Sequence, residues 1–237
     1  MTVNVVEEAK KKVVLSSTEA ETFLSKIDKR WERLVQLVGD YRPVVKHPSK
    51  EPYEELIQAV AGQQLHKKAA DTIFERFKKL GVDGHFPSPK KIVEMDAETL
   101  RSCGFSARKA ETIRSIAEAS LTGTVPSRKE AETLTDEDLI ERLTKIKGIG
   151  RWTVEMLLIF SLNRPDIMPA DDLIIRNGYR YLHDLRSVPT KKYVLEQSEV
   201  CAPYRSIAAW YLWRTAKLPD YVKVNSKLTK LKRSETL

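Results

Sequence analysis

The sequence predicts an all-α protein, and three observations support this prediction. Apolar residues recur every three or four positions along most of the 237-residue chain, as they do on one face of a helix. Capping residues and glycines divide the chain into segments of about 10–16 residues, a common helix length. Strand-like alternation of apolar and polar residues is nowhere sustained.

The N-terminal half contains five predicted helical segments. The first pattern runs from Thr18 to about Gly39, and a proline-punctuated connector follows it. The next block begins at Pro52 and is divided into two helices by Gly62. Short helices are then expected after Ser88 and Asp96, two residues that commonly cap helix starts.

The C-terminal half continues the same pattern. Ser106 is expected to begin an amphipathic helix ending at Leu121, and Thr135 the next helix. A further helix follows Pro169, and the stretch from Tyr193 onward supplies the last one or two.

Composition limits the classes of function. The chain has 41 Lys plus Arg against 33 Asp plus Glu, a net charge of +8, which suits a polyanion such as DNA or RNA. Two cysteines exclude a disulfide scaffold, a Cys₄ zinc site and a Cys₄ iron–sulfur cluster, and no metal-ligand spacing is visible. No apolar run approaches the roughly 18 residues that span a bilayer, and the start lacks a signal peptide's apolar core. We therefore expect a reducing, intracellular compartment and no membrane partner.

The sharpest motif joins two amphipathic helices through the tight hairpin KGIG. Apolar residues at helical spacing precede Gly148 and Gly150, and Thr153 opens the following helix. Glycines allow a tight turn and leave the helix N-terminus uncovered, where N–H groups and the helix dipole favour a phosphate oxygen. Lys147 and Arg151 flank this point. The motif predicts DNA binding through the backbone, without sequence preference; the alternative is an ordinary helix connector.

These residues carry a family resemblance. The segment GIGRWTVEMLLIFSLNRPDIMPADDLIIR, together with PYRS-A-W-Y-W at 203–213, resembles the alkylbase (3-methyladenine) branch of the helix-hairpin-helix DNA glycosylase superfamily. The resemblance covers roughly residues 52–216. It implies two helical subdomains with the active cleft between them, and a monomer that acts on double-stranded DNA.

The expected organisation follows from this resemblance. Residues 1–16 form a flexible arm, and 229–237 form a basic tail. Residues 17–51 plus 181–228 form one discontinuous subdomain. Residues 52–180 form the other, which contains the helix-hairpin-helix at 139–160. A eukaryotic source implies a nuclear location, and a prokaryotic one a cytoplasmic location; the basic tail is a nuclear address, a phosphate-binding segment or a solvated terminus.

The resemblance places an essential carboxylate about twenty residues after the hairpin, at Asp172, and leaves Asp171 as a helix cap. Cleaving an N-glycosidic bond builds positive charge on the sugar, which a desolvated carboxylate stabilises. Relatives that also cut the DNA backbone carry a nucleophilic lysine at the position of Trp152. Tryptophan cannot form a Schiff base, so the sequence predicts hydrolysis that leaves an abasic site. No organic cofactor is expected; the resemblance allows a monovalent cation at hairpin carbonyls.

Aromatic residues are expected to receive the flipped base. Trp152 would stack on it, and a positively charged alkylpurine would gain a cation–π contribution. Tyr53 and Tyr204 are further candidates, although buried aromatic residues are more often packing residues. Met156 and Leu173 stand where some relatives have aromatic side chains, which suggests a narrower substrate range.

A glutamine-containing loop is expected to enter the DNA. In the family this loop fills the gap left by the flipped base, and here Gln64 or His66 is the candidate wedge, with Ser161 opposing it. Gln63 and Lys67 are further candidate DNA contacts.

Two rival functions stay open on the sequence alone. One is a glycosylase for deaminated or mismatched bases. The other is a catalytically inactive binder of damaged or abasic DNA, against which Asp172 argues.

Overall fold

The protein is described by a computed structural model over residues 17–42, 50–63, 67–82 and 85–221. All regular secondary structure in these ranges is helical, which confirms the predicted all-α class. The expected arm and tail, and the candidate wedge residues Gln64 and His66, lie outside the described residues. No helix within the described ranges is both long enough and apolar enough to cross a membrane.

The described chain separates into two compact units. The discontinuous unit contains residues 17–42 and 170–221, and the continuous unit contains the described residues from 50 to 169. The helices of the discontinuous unit are α1 (Ser17–Ile27), α2 (Lys29–Val38), α11 (Leu173–Leu182), α12 (Lys191–Ser198) and α13 (Arg205–Arg214), with 3₁₀ turns at Glu199–Cys201 and Thr215–Lys217. The helices of the continuous unit are α3 (Pro52–Gly62), α4 (Lys67–Lys78), α5 (Pro89–Glu94), α6 (Ala97–Ser102), α7 (Ala107–Leu121), α8 (Arg128–Ala131), α9 (Asp136–Thr144) and α10 (Arg151–Phe160).

Both unit boundaries differ from those expected. The chain passes out of the continuous unit at residue 169 rather than 180, because α11 packs against α2 and α13. Gly178 of α11 lies so close to α13 that a Cβ there would stand 2.9 Å from the Leu212 carbonyl oxygen. At the other boundary, Glu51 belongs to the continuous unit, where its Oε2 accepts a hydrogen bond from the Arg128 amide at 2.9 Å.

The N-terminal helical pattern is two helices rather than one. Asp28 interrupts it, with extended backbone and a side chain that accepts hydrogen bonds from the amides of Arg30 and Trp31. The apolar spacing continues across this break because both helices bury their apolar faces in the same core. Trp31 packs edge-on against Tyr179, with ring centroids 6.5 Å apart.

The core of the continuous unit is built on α7. Ile113, Ile116 and Ala117 are completely buried, and each of the two isoleucines contributes roughly 1.5–3 kcal/mol by leaving water. The predicted helix starts at Ser88, Asp96 and Thr135 are confirmed, since their side-chain oxygens accept backbone N–H bonds as N-caps. Ser106, predicted as the first residue of its helix, is the N-cap of α7 in the same way. Helices α3 and α10 both pack on this core, which brings the end of α3 and the start of α10 onto one framework.

Candidate active site

The hairpin between α9 and α10 is fixed by buried aliphatic residues on either side of an exposed turn. Ile146 and Ile149 are 6% and 5% exposed, whereas Gly148 between them is on the surface. Gly148 has φ of 88°, which strongly favours glycine, and a Cβ there would stand 2.2 Å from Thr112 Oγ1 on α7. The backbone of the turn therefore packs directly on the core helix.

The start of α10 is uncovered at Gly150. This residue occupies the N-cap position and has no side chain to accept a bond from the first turn. The Thr153 amide donates to the Gly150 carbonyl at 2.9 Å, as an ordinary first turn requires. No atom lies within 4 Å of where a Gly150 Cβ would be, so the space over the helix end is open to an oxygen atom of a ligand.

The cations beside the hairpin are held by acidic side chains. Lys147 Nζ lies 2.6 Å from Glu111 Oε1. Arg151 reaches Glu155 at 3.0 Å through Nε, and its two terminal nitrogens meet the two oxygens of Glu137 at 3.2 and 3.3 Å. The sequence predicted these cations as DNA contacts but did not predict their carboxylate partners. Glu111 lies on α7 and Glu137 on α9, and Glu155 lies one turn further along α10.

Trp152 lies in the first turn of α10 and is 37% exposed. Met156, one helical turn further on, is half-buried. Trp152 thus presents part of a large aromatic side chain beside the open helix end, and its role in stacking stays a prediction.

The two predicted pocket tyrosines differ in their surroundings. Tyr53 is half-buried and packs edge-on against Phe86 at 5.6 Å, with its hydroxyl 3.5 Å from the Pro87 carbonyl oxygen. Burial raises the pKa of Tyr53. Tyr204 is 5% exposed and packs against Phe23, with ring centroids 5.0 Å apart. Tyr204 is therefore packed within the discontinuous unit, and its role as a pocket residue stays a prediction.

Asp172 begins α11 in the discontinuous unit. Its Oδ1 accepts hydrogen bonds from the amides of Ile174 and Ile175, at 2.7 and 3.1 Å. The sequence assigned the cap to Asp171, which instead forms an exposed ion pair with Lys191 at 2.6 Å. The cap assignment was wrong by one residue, because either aspartate could occupy the position and only the backbone decides it.

Asp172 is half-buried rather than fully desolvated. The two residues after it carry apolar side chains that are exposed, Leu173 at 61% and Ile174 at 47%. An ionised carboxylate at a helix N-terminus is stabilised by the first-turn amides and the helix dipole. The arrangement presents a carboxylate beside an apolar surface that a bound nucleotide could cover.

The remaining predicted contacts have mixed outcomes. Ser161 is 2% exposed, and its carbonyl oxygen accepts from Arg128 at 2.8 Å; this buried position does not fit a residue that opposes the wedge. Gln63 is half-buried, and its Nε2 lies 3.5 Å from Thr153 Oγ1. The side chain of Lys67 lies outside the described residues.

Metal ligation finds no support in the described part of the chain. Those residues contain no group of three or more His, Cys, Asp or Glu side chains that could hold a metal ion. A monovalent cation on hairpin carbonyls would use a different kind of ligand and stays a prediction.

Comparison with known proteins defines the class. Residues 57–203 match the family of HhH-GPD superfamily base excision DNA repair proteins, and the chain belongs to this family. It is 63% identical over 216 residues to DNA-3-methyladenine glycosylase 1 of Schizosaccharomyces pombe, covering 91% of this chain and 95% of that protein. It is 44% identical to the alkylbase DNA glycosidase-like protein mag2 of the same organism, covering 84% and 93%.

Solved structures agree with this assignment. The S. pombe 3-methyladenine DNA glycosylase, in complex with abasic DNA, matches with a TM-score of 0.80 and 64% identity over 86% of this chain and 98% of that one. A DNA-3-methyladenine glycosidase from Bacillus halodurans matches with a TM-score of 0.74 and 33% identity over 85% and 90%. The chain therefore spans nearly the whole of these relatives.

Proposed function

We propose that this protein is a monofunctional DNA glycosylase that hydrolyses the N-glycosidic bond of alkylated purines and leaves an abasic site in duplex DNA. 3-Methyladenine and 7-methylguanine are the proposed substrates. The observation that carries the proposal is Asp172 at the start of α11, twenty-two residues beyond the open hairpin at Gly150, in a chain 63% identical to a 3-methyladenine glycosylase.

Asp172 would act on the sugar. Loss of the base builds positive charge on the deoxyribose, and a fixed carboxylate stabilises this charge more in the transition state than in the substrate. Because the two first-turn amides already bind Oδ1, the carboxylate needs no reorganisation as the charge develops. The same group could orient the attacking water.

Trp152 would receive the damaged base. Alkylation at N3 or N7 gives the purine a positive charge. A charged base stacks more strongly on an indole than the neutral base does. The exposed fraction of the Trp152 side chain supports this role. Leu173 and Met156, which are not aromatic, leave fewer stacking surfaces and favour small adducts.

The hairpin would hold the DNA backbone. Its amide groups at the start of α10 suit a phosphate oxygen, and Lys147 and Arg151 would exchange their carboxylate partners for phosphates. No organic cofactor enters this scheme. Action on chromosomal DNA implies a nuclear location in a eukaryotic source.

The test is release of free base from methylated duplex DNA, measured by chromatography alongside a strand-cleavage gel. The proposal predicts free 3-methyladenine or 7-methylguanine and a strand that breaks only after alkali treatment. Release of uracil or mismatched bases in preference to methylated purines would indicate the rival specificity. Protein that binds abasic DNA but releases no base would overturn the enzyme assignment.

A further inference from the structure

Arg151, the first residue of α10, binds two carboxylates through different parts of its guanidinium group. Its Nε donates to Glu155 Oε1 at 3.0 Å, one turn further along the same helix. Its two terminal nitrogens donate to the two oxygens of Glu137 on α9, at 3.2 and 3.3 Å. The Nε atom therefore serves Glu155, and the terminal fork serves Glu137.

The two carboxylates differ in burial. The side chain of Glu155 is 6% exposed, whereas those of Glu137 and Arg151 are 73% and 44% exposed. A buried carboxylate has lost most of its hydration and needs a charged partner, so separating Glu155 from Arg151 is costly. An exposed ion pair contributes little, because water solvates both groups when they separate. Glu137 is thus the partner that a competing anion displaces more easily.

The contact with Glu137 has the geometry of a phosphate contact. Two parallel N–H···O bonds from the terminal nitrogens of an arginine suit a phosphate as well as a carboxylate. Gly150, the residue before Arg151, is the N-cap of α10 and leaves the space over the helix end open. A phosphate bound at the first-turn amides would therefore be next to a fork that already binds an anion at the protein surface.

We propose that Glu155 is a positioning residue for the DNA contact of Arg151, an inference that rests on the proposed function. Glu155 holds the Nε atom in both the free and the DNA-bound protein, whereas the terminal nitrogens exchange Glu137 for a phosphate of the DNA backbone. Glu155 itself touches no DNA. A guanidinium group that is already fixed loses less freedom on binding than a mobile one, so the buried carboxylate makes Arg151 a preformed phosphate contact.

The test compares two variants of the full chain that change the charge equally. Glu155→Gln and Glu155→Met each remove one negative charge, but only glutamine keeps an oxygen that accepts the Arg151 Nε–H bond. Affinity for undamaged duplex DNA is measured by fluorescence anisotropy over a series of salt concentrations. Glu155→Met should reduce the slope of log affinity against log salt by up to about 0.9, the value for one phosphate contact, although its extra positive charge alone would strengthen binding. Glu155→Gln should keep the wild-type slope.

The effect should require Arg151. Arg151→Met should also lower the slope by about 0.9, and adding Glu155→Met to it should lower the slope no further. Glu137→Gln should tighten binding, because it removes the competing carboxylate. The matched control is Glu98→Gln, which removes a carboxylate that is 79% exposed and paired with Arg101 on α6. It should tighten binding less than Glu137→Gln does.

A wild-type slope in Glu155→Met, or a further loss of slope when this change is added to Arg151→Met, would overturn the proposal. So would folded Glu155→Gln protein whose slope is as low as that of Glu155→Met. If Glu155→Met does not fold, Glu137→Gln decides the matter: binding no tighter than in Glu98→Gln would overturn the exchange of Glu137 for phosphate. The salt slopes need no base release, so wild-type protein that excises no alkylpurine would instead refute the proposed function.

Discussion

Gly148→Ala should destabilise the protein by about 2–5 kcal/mol. At φ of 88° an L-residue costs roughly 1–2 kcal/mol more than glycine. The added methyl group would stand 2.2 Å from Thr112 Oγ1 and 2.8 Å from its Cγ2. Because Thr112 is 5% exposed within the core helix α7, relieving this overlap should cost roughly a further 1–3 kcal/mol.

Calorimetry measures this loss. At about 2–4 °C per kcal/mol for a chain of this size, Tm should fall by roughly 4–20 °C. Gly150→Ala is the matched control, because φ there is −98° and no atom lies within 4 Å of the new Cβ. It should cost less than about 1 kcal/mol, the range for an N-cap change.

A second substitution separates strain from overlap. Adding Thr112→Ala to Gly148→Ala removes the overlapping atoms but leaves the backbone strain, so a double-mutant cycle should show a favourable coupling of about 1–3 kcal/mol. If Gly148→Ala and Gly150→Ala had equal Tm values, the hairpin would not be fixed by its packing on α7.

Three further outcomes are expected. Trp152→Ala should lower single-turnover excision of alkylpurines roughly 5- to 150-fold, because stacking of a base on an aromatic ring is worth about 1–3 kcal/mol; an unchanged rate would exclude stacking. Lys147→Met should reduce the slope of log affinity against log salt by about 0.9, the value for one phosphate contact. Glu111→Gln should tighten DNA binding, because it releases Lys147 from its ion pair. Equal slopes for wild type and Lys147→Met would refute a contact between Lys147 and a phosphate. Burial and the nearby Arg30 guanidinium lower the pKa of His183. As the pH falls, this imidazole therefore takes up a proton in the unfolded chain before it does so in the folded protein. The free energy of unfolding should consequently fall as the pH drops below about 6.5. Denaturant titration of His183→Gln should show a shallower fall between about pH 6.5 and 5, and an identical profile would contradict this.

The fold class and many helix boundaries follow from local signals in the sequence. Caps such as Asp96 and Thr135 act within three residues of their own position, so the sequence contains all the information that they need. The break at Asp28 was missed because two helices packing on one core keep a continuous apolar pattern. The boundary at 169 depends on packing between distant segments, which local periodicity does not encode.

The site was less predictable because it depends on long-range contacts. Tyr204 belongs to a motif of the family, yet its ring packs on Phe23 from a distant part of the chain. The ion pair between Lys147 and Glu111 joins residues 36 positions apart.

We propose that Asp172, and not its neighbour Asp171, supports cleavage of the glycosidic bond. The most direct measurement is the single-turnover rate of 3-methyladenine release by Asp172→Asn and Asp171→Asn. Asparagine caps helices about as well as aspartate, so both variants should fold and bind DNA. Asp172→Asn should lose at least about 100-fold, the scale of one electrostatic contribution to catalysis, and Asp171→Asn should change the rate by no more than about threefold. Wild-type release by Asp172→Asn, or a comparable loss in Asp171→Asn, would contradict it.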